Sequence, residues 1–430
     1  LNTLVNGVSY VVSSRAMDKT GNIQIELGTD TLTYDVTNPS TGLVYDGLVE
    51  GIDQSWSNST TTISANWSGF NDVTSGIDLY EYSVGSTPGA TDVVSWTNGG
   101  QETFFDEEVD LVSGDVYYVS IRATDGAGNV SNIATSNGIT IDAINPVVTD
   151  VAEGDIGVDQ DYQQSSSSLL ISWGGSDDLR TFRNNRELSN YEVSIGTAPG
   201  EVNVVDWINI GNVDNYEFTG LNLQESITYY ANVKALDQAG NESNVVSGDG
   251  ITIDQSGPNT GTINDGDSSD VDWVNVNFLS SGNWNGFIDE LSGIQEYEYS
   301  LGLSPGQTQV VTWTSAGPEN NITVSAALTE GPTYYANLRA IDSVQNVSEV
   351  ISSDGFGLDQ SSPVAGSVND GIGDDITWTN NDGSIQANWS GFSDEYSGIR
   401  QYDYSIKSSD DNVSWEEVTS WISIGTETSL

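Results

Sequence analysis

The chain has 430 residues, and its 10 Lys and Arg against 63 Asp and Glu give a formal net charge of −53. That charge repels nucleic-acid phosphates and anionic lipid headgroups, and the sequence has no apolar run of about 18 residues, so we expect neither nucleic-acid binding nor direct membrane insertion. Because there is no Cys and no His, disulfides, thiolate chemistry, tetrahedral zinc sites and imidazole catalysis are excluded, and oxygen atoms remain as metal ligands.

One short motif, which we call the turn motif, recurs along the chain as DKTGN, DGAGN, DQAGN and DSVQN. Its aspartates are 107, 112 and 105 residues apart, a period that corresponds to one small domain. Two series of Trp residues keep the same spacing, and each unit ends in an Asp that a Pro soon follows. The motif aspartates are Asp18, Asp125, Asp237 and Asp342, the Trp series are Trp67, Trp173, Trp284, Trp389 and Trp96, Trp207, Trp313, Trp421, and the terminal pairs are Asp35/Pro39, Asp142/Pro146, Asp254/Pro258 and Asp359/Pro363.

The prolines mark boundaries between repeated domains, with a partial domain at each end. Because half a sandwich cannot bury its own core, we expect the natural protein to extend beyond both ends. The predicted domains are residues 1–38 (the C-terminal half of a β-sandwich repeat), 39–145, 146–257 (with a short basic insertion), 258–362 and 363–430 (the N-terminal part of a further repeat).

Each unit reads as short strands, rich in Val, Ile, Thr and Tyr and separated by Gly, Asn, Asp and Ser, with no sustained helical period. In LVSGDVYYVSIRATDGAGNVSN the alternation predicts that one set of side chains faces a core and the other faces solvent. A Leu precedes each first core Tyr by six residues, which is typical of a tyrosine corner. The core set is Tyr117, Val119, Ile121 and Ala123, the solvent set is Tyr118, Ser120 and Arg122, and the Leu and Tyr pairs are Leu4/Tyr10, Leu111/Tyr117, Leu223/Tyr229 and Leu328/Tyr334.

The run Leu-x5-Tyr-x-Val-x-Ile-x-Ala resembles the sixth strand of fibronectin type III and bacterial immunoglobulin-like domains. LLISW and ISANW resemble the second strand of these domains with its buried Trp, and YEYSVG resembles the third. The resemblance covers nearly the whole chain and implies an all-β tandem array of antiparallel β-sandwich domains. The forms SGI, YEYS and D-x-x-G-N-x-S are similar to repeats of giant surface adhesins of Gram-negative bacteria, including the gliding adhesins of flavobacteria.

Two interpretations of the turn motif stay open. In one, Asp125 accepts hydrogen bonds from nearby backbone N–H groups and Gly128 takes a positive φ, so the motif only builds a turn. In the other, carboxylates from two domains meet, because the acidic loop after the second strand and the last-strand Asp of the preceding domain share the pole of the turn motif. Such oxygens would hold Ca²⁺ at about 2.3–2.6 Å and stiffen the junction. The candidate ligands are Asp72, Asp125, Asp142, Asp177, Asp178, Asp237, Asp254, Asp289, Glu290, Asp342, Asp359, Asp394 and Glu395, joined by the terminal Asp35.

Four of the ten basic residues share one repeat position, after the corner Tyr, and we expect cross-strand pairs with acids of the third strand, each worth less than about 1 kcal/mol. The first Trp series is expected in the core. The second Trp series is expected in core or edge packing, with a sugar-stacking platform as the alternative. The predicted pairs are Glu81–Arg122, Glu192–Lys234 and Glu298–Arg339, and the basic insertion contains Arg180, Arg183 and Arg186, which either neutralise acids or bind an anion.

Acids that repeat with the scaffold argue against an active site, which normally occurs once, so no catalytic residue is predicted. We expect the extracellular spacer region of a large cell-surface adhesin or filament, in which each domain adds about 34 Å of reach. Its expected partners are neighbouring repeats, other copies of the filament or surface glycans. The alternatives are accessory modules of a secreted polysaccharide-degrading enzyme and a glycan-binding array.

Overall fold

A computed structural model describes residues 3–176, 188–277 and 279–430, and within these ranges the chain forms strands, turns and bends but no helix. The all-β prediction is confirmed. None of the described residues lies in a helix that could span a membrane. The chain forms two compact units, one of residues 1–160, 167–221 and 228–251 and the other of residues 161–166, 222–227 and 252–430. Because this division cuts through residues 146–257, the domain boundaries stay a prediction.

Residues 39–145, predicted as one domain, lie wholly in the first unit and contain two sheets, after a hairpin formed by β1 (Val8–Ser14) and β2 (Gly28–Tyr34). Its strands are β3 (Leu43–Asp46), β4 (Trp56–Ser57), β5 (Thr62–Ser68), β6 (Ile77–Gly85), β7 (Val94–Gly100), β8 (Phe104–Glu108), β9 (Val116–Asp125), β10 (Ala134–Thr135) and β11 (Ile139–Ile141). One sheet has the order β3-β5-β8, and the other has the order β4-β11-β9-β6-β7 with β10 also on β9. Adjacent strands are antiparallel except for β4 and β11, and this order is that of a fibronectin type III-like sandwich.

The next copy of the pattern is divided between the two units. In the first unit its sheet has the order β12-β14-β17, while in the second unit β13 and β20 pair in parallel through Tyr162 and Thr252. The strands are β12 (Val147–Glu153), β13 (Tyr162–Gln163), β14 (Ser168–Ser176), β15 (Leu188–Gly196), β16 (Val205–Gly211), β17 (Asn215–Thr219), β18 (Thr228–Asp237), β19 (Val246–Ser247) and β20 (Ile251–Ile253).

The domain 258–362 lies wholly in the second unit and repeats the strand order of 39–145. Its sheets are β21-β23-β26 and β22-β29-β27-β24-β25, with β28 on β27. The strands, including two hairpin pairs of 363–430, are β21 (Thr262–Asp265), β22 (Trp273–Val274), β23 (Leu279–Asn285), β24 (Ile294–Gly302), β25 (Val311–Gly317), β26 (Asn321–Ser325), β27 (Thr333–Asp342), β28 (Ile351–Ser352), β29 (Phe356–Leu358), β30 (Ser367–Asp370), β31 (Ala387–Ser390), β32 (Asp403–Ser408) and β33 (Glu416–Ser423).

The first Trp series lies in the core, as predicted. Trp67 of β5 is 2% exposed and contacts the Tyr80 ring edge-on at 5.5 Å, and Trp284 of β23 is equally buried, 5.3 Å from the Tyr297 ring. Such ring pairs add to the free energy gained by burying large apolar surfaces. Trp173 and Trp389 are also buried.

The tyrosine corner is confirmed where its hydrogen bonds are described. The hydroxyl oxygens of Tyr10, Tyr117 and Tyr334 accept the N–H groups of Val5 at 2.8 Å, Val112 at 3.1 Å and Thr329 at 2.7 Å. Each bond ties the segment before the long sixth strand to the start of that strand. The bond thereby orients the strand, and the turn motif lies at the strand's other end.

The predicted solvent face of this strand is wrong at one position. Ser120 of β9 is fully buried, although Tyr118 and Arg122 beside it are only partly so. The equivalent side chains Asn232 and Asn337 accept hydrogen bonds from the N–H groups of Gly200 and Gly306, at 2.7 and 2.6 Å. The Pro-Gly turn that contains Gly200 or Gly306 therefore lies across the outer face of the sheet at this position.

Candidate metal centres at the domain joints

The turn motif closes a tight turn at the end of the sixth strand. In β9, Oδ1 of Asp125 accepts the N–H groups of Ala127 at 2.9 Å and Asn129 at 2.8 Å, and Oδ2 accepts Nδ2 of Asn129 at 2.8 Å. Gly128 takes the predicted positive φ of 89°. Burial alone would raise the pKa of Asp125, but the hydrogen bonds from Asn129 and the turn amides outweigh it and lower that pKa. The carboxylate is therefore anionic at neutral pH.

The last copy of the motif builds the same turn without glycine. Asp342 accepts the N–H groups of Val344 at 2.9 Å and Asn346 at 2.8 Å on Oδ1 and the side-chain amide of Asn346 at 2.8 Å on Oδ2. Gln345 replaces the glycine and still adopts a φ of 73°, a conformation that side chains with a Cβ rarely take. The hydrogen bonds thus hold the turn even where the residue is unfavourable.

The Asn of the motif also crosses to the preceding domain. Nδ2 of Asn241 donates to the main-chain oxygen of Asp142 at 2.9 Å, and Nδ2 of Asn346 donates to that of Asp254 at 3.0 Å. The corresponding bond from Asn129 to Asp35 is longer, at 3.4 Å. In each case the acceptor is the Asp that ends the last strand of the domain before. We call this meeting place a domain joint.

The same terminal Asp reaches the acidic loop of the following domain through its side chain. Oδ2 of Asp35 accepts the Ser75 hydroxyl at 2.7 Å, whereas Oδ2 of Asp254 and of Asp359 accept the N–H groups of Ser292 at 3.2 Å and Ser397 at 3.1 Å. Hydrogen bonding by Ser397 lowers the pKa of Asp359 to about 2, against the opposing effect of burial. The terminal Asp35 or Asp254 therefore bonds to two elements of the next domain, to the turn motif through its main-chain oxygen and to the acidic loop through its side chain.

The structure brings six of the predicted ligands together, three at each of two joints. One carboxylate oxygen from each of Asp35, Asp72 and Asp125 lies within 4.8 Å of the others, and the same holds for Asp254, Asp289 and Asp342. Oδ1 of Asp72 and of Asp289 caps its own loop through backbone N–H groups. Anionic oxygens from three segments are the donor set that Ca²⁺ takes, although both oxygens of each motif Asp already accept hydrogen bonds.

The remaining predicted ligands fall into three groups. Glu290 and Glu395 are exposed and lie outside these two clusters. Asp142 and Asp237 share one joint through Asn241, while Asp359 and Asp394 share another through Ser397, which donates its N–H to both. Asp177 and Asp178 lie outside the described residues, as do Arg180, Arg183 and Arg186.

The predicted cross-strand pairs form in all three domains. Nε of Arg122 lies 2.7 Å from Glu81, Nζ of Lys234 lies 2.9 Å from Glu192, and Nε of Arg339 lies 2.6 Å from Glu298. Each cation also covers a Trp ring of the second series, at 4.4, 5.2 and 4.6 Å from the centroids of Trp96, Trp207 and Trp313. These three half-buried Trp residues therefore pack at the sheet edge beneath a cation, as the edge-packing prediction required, whereas the fourth of the series, Trp421, is 73% exposed and departs from it.

A second set of acids escaped the sequence analysis. Glu153, Asp159 and Asp249 bring carboxylate oxygens within 4.8 Å of one another, and so do Asp265, Asp270 and Asp354. The signal was present, because the first strand of each described copy ends in an acid, then Gly, then a second Asp a few residues later, as in VYDGLVEGID and INDGDSSD. The alternation of Asp and Glu and the variable spacing concealed it.

No protein-family model matches the chain. Exoglucanase B of Cellulomonas fimi is 24% identical over 329 residues, which are 73% of this chain, and the chain spans only 26% of that protein's length. The FN1–FN3 domains of chicken CNTN1 share 16% identity over 74% of this chain and 99% of that one, with a TM-score of 0.28. The fibronectin(III)-like modules of Clostridium thermocellum CbhA share 11% identity over 49% of this chain and 94% of that one, with a TM-score of 0.31.

Proposed function

We propose that the chain is a non-catalytic spacer of an exported protein, in which tandem fibronectin type III-like domains are held at semi-rigid joints. The observation that carries the proposal is the recurring bond from the Asn of one turn motif to the terminal Asp of the preceding domain, at 2.9 Å for Asn241 and 3.0 Å for Asn346. A bond that repeats at successive joints fixes how domains follow one another, which suits a module whose task is distance rather than chemistry.

Binding of Ca²⁺ at the joints is part of this proposal. The clusters Asp35/Asp72/Asp125 and Asp254/Asp289/Asp342 supply the charge, and a divalent cation would offset the mutual repulsion of three carboxylates. The resulting joint would be stiffer in the millimolar Ca²⁺ of extracellular fluids than in its absence. We further propose that the chain is a region of a surface adhesin that projects a distal binding module. The support is that SGI, YEYS and D-x-x-G-N-x-S are similar to repeats of such adhesins.

A second setting is favoured by one finding. The similarity to Exoglucanase B of Cellulomonas fimi covers 329 residues, so the same spacer would serve as the accessory region of a polysaccharide-degrading enzyme. The sequence of the full-length natural protein separates the two settings, because the enzyme requires a catalytic domain in the same chain. Sedimentation of the chain with insoluble cellulose tests the glycan-binding array, since a pure spacer is expected to stay in solution.

Small-angle scattering of the chain tests the spacer itself, with Asn241→Ala and Asn346→Ala as joint variants. The wild-type chain should give a narrow distribution of dimensions, and the double variant a broader one with a shorter average. Asn222→Ala, at an exposed position, is the control and should match wild type. If wild type is already as broad as the double variant, the joints do not order the array. A further comparison in Ca²⁺ and in EDTA tests the joint ions, whose binding should narrow the distribution.

A further inference from the structure

Each of the three whole repeats buries an acid at the end of its first strand. Asp46 of β3, Glu153 of β12 and Asp265 of β21 are all 0% exposed. In two of them the following Asp folds back on the strand, since Oδ1 of Asp53 accepts the N–H of Asp46 at 2.9 Å and Oδ1 of Asp159 accepts that of Glu153 at 3.1 Å. A buried acid and a second, exposed acid are therefore held side by side.

In two domains a third acid completes the cluster. Asp249 and Asp354 lie at the break that precedes the last strand, β20 or β29, and they bring a carboxylate oxygen within 4.8 Å of the other two. Both of these residues and their partners Asp159 and Asp270 are exposed. Each cluster thus has one buried and two exposed carboxylates, and an ion can reach it from solvent.

In one of the two clusters the buried acid lacks a donor that its charge requires. Oδ2 of Asp265 accepts the N–H of Gly355 at 3.2 Å, but Oδ1 is buried and accepts no hydrogen bond within the part of the chain that the structure describes. A buried carboxylate oxygen without a donor is destabilising, and two further carboxylates nearby add repulsion. Glu153 is equally buried, but its carboxylate accepts the N–H groups of Ala231 at 2.9 Å and Gly250 at 3.4 Å, so of these two acids only Asp265 has an oxygen without a partner among the described residues. A cation at this place would supply the missing partner.

We propose that Glu153/Asp159/Asp249 and Asp265/Asp270/Asp354 each bind one Ca²⁺ inside a single domain, independently of the joints. Two oxygens on one ion lie at most twice the metal–oxygen distance apart, about 4.6–5.2 Å for Ca²⁺ and about 4.2 Å for Mg²⁺. The three oxygens of each cluster all lie within 4.8 Å of one another, which is within the reach of one Ca²⁺. The ion would tie the first strand to the break before the last strand.

The domain 39–145 provides a natural comparison, because Asn137 stands where the other two domains have the third acid. Nδ2 of Asn137 donates to Oδ2 of Asp53 at 2.8 Å, while both carboxylate oxygens of Asp46 are buried and accept no hydrogen bond within the described residues. With two carboxylates and one amide in place of three carboxylates, this cluster carries one negative charge fewer. We therefore expect no ion in this domain.

Calorimetric titration of the full chain with CaCl₂, after EDTA treatment and dialysis, tests the proposal. Asp249→Asn and Asp354→Asn should each reduce the number of bound Ca²⁺ by one, and the double variant by two, while Asn137→Asp should add one. Joint sites, if they bind, remain in the double variant and are lost in Asp72→Asn and Asp289→Asn, so the two proposals fail separately. An unchanged count in the double variant, or a wild-type chain that binds no Ca²⁺, overturns the inference.

Thermal unfolding keeps the test valid if a variant changes the fold. Without Ca²⁺ the double variant should melt at the same temperature as wild type or higher, because a like charge has been removed from each cluster. With millimolar Ca²⁺ the order should reverse, since only wild type gains the binding free energy. A variant that is merely misfolded would melt lower under both conditions.

Discussion

The domains 39–145 and 258–362 share their strand order, their core Trp and their turn motif, yet they differ in the side chains that lie near the buried acid of the first strand. In the former, Asn137 bridges to Asp53 through an amide N–H. In the latter, Asp354 brings a third carboxylate oxygen close to those of Asp265 and Asp270. A repeat can therefore preserve its scaffold while one residue changes the charge of a local site, and with it the ligand that the site can hold.

The core should tolerate least change in either domain. Trp67→Ala and Trp284→Ala should each lower the free energy of unfolding of the affected domain by about 3–5 kcal/mol, because each removes a buried ring and leaves a cavity. Trp67 contacts both Tyr80 and Phe105, at 5.5 and 6.4 Å, so we place it at the upper end. Hydrogen exchange followed by mass spectrometry measures each domain separately.

Val73→Ala is the matched control for this substitution, since Val73 is 89% exposed and its truncation should have almost no effect. If Trp67→Ala also lowers protection in 258–362 by a similar amount, the two domains do not unfold independently. Their free energies of unfolding could then be measured only for the array as a whole.

The buried acid of 39–145 should make the stability of that domain depend on pH. Burial raises the pKa of Asp46 to about 7, and the nearby charge of Asp53 acts in the same direction. Because this pKa is higher in the folded than in the unfolded chain, the stabilisation from protonated Asp46 is complete below about pH 4 and is lost as the pH rises through 7. Asp46→Asn mimics the neutral acid and should remove this dependence.

At pH 8 we expect Asp46→Asn to stabilise the domain by on the order of 2 kcal/mol, and at pH 4 to leave it nearly unchanged. Hydrogen exchange or thermal unfolding at the two pH values measures the difference. Asp53→Asn serves as a control, because Asp53 is exposed and its removal lowers the local charge without filling the buried position. An effect of Asp46→Asn that is the same at both pH values would contradict the raised pKa.

The joints differ between these domains in the tightness of one bond. Asn346 is buried and donates to Asp254 at 3.0 Å, whereas Asn129 is partly exposed and donates to Asp35 at 3.4 Å. Asn346→Ala should therefore cost about 1–2 kcal/mol, since it leaves buried acceptors without a donor, and Asn129→Ala less than about 1 kcal/mol. Local hydrogen exchange of the turn amides measures both losses. Equal losses would show that the turn within the domain, rather than the bond across the joint, sets the cost.

The repeat made much of this architecture predictable, because four copies of one pattern separate the constrained positions from the free ones. The core position of Trp67, the corner of Tyr117 and the pair Glu81–Arg122 each followed from an alternation of side chains that local geometry fixes. Ser120 did not, because its burial depends on a turn that folds across the sheet from another part of the chain.

The bond across the joint and the first-strand clusters could not be predicted from the sequence either, because they also depend on contacts between distant parts of the chain. The sequence placed Asn129 in a turn, but its second acceptor, the main-chain oxygen of Asp35, lies 94 positions away and carries no side-chain signature. Likewise, nothing local marks Glu153 as buried, since its hydrogen-bond donors Ala231 and Gly250 come from distant parts of the chain. Contacts made through the main chain, and burial produced by packing, are what single-sequence patterns do not record.

The smallest expected effect concerns the turn motif itself, where the two domains differ by one residue. Gly128 adopts a φ of 89° at little steric cost, whereas Gln345 adopts 73° with a Cβ that disfavours this region. Gln345→Gly should stabilise 258–362 by about 0.5–1 kcal/mol and Gly128→Gln should destabilise 39–145 by a similar amount.

Nε2 of Gln345 also donates to Gln295 at 2.6 Å, a surface bond whose loss reduces the gain, so Gln295→Ala is the control that isolates it. Thermal unfolding of the two exchanges and of their combination measures the balance. Opposite shifts that cancel in the combined variant would establish that backbone strain alone separates the two turns, and a loss of stability in both would mean that the Gln side chain contributes more than its strained φ costs.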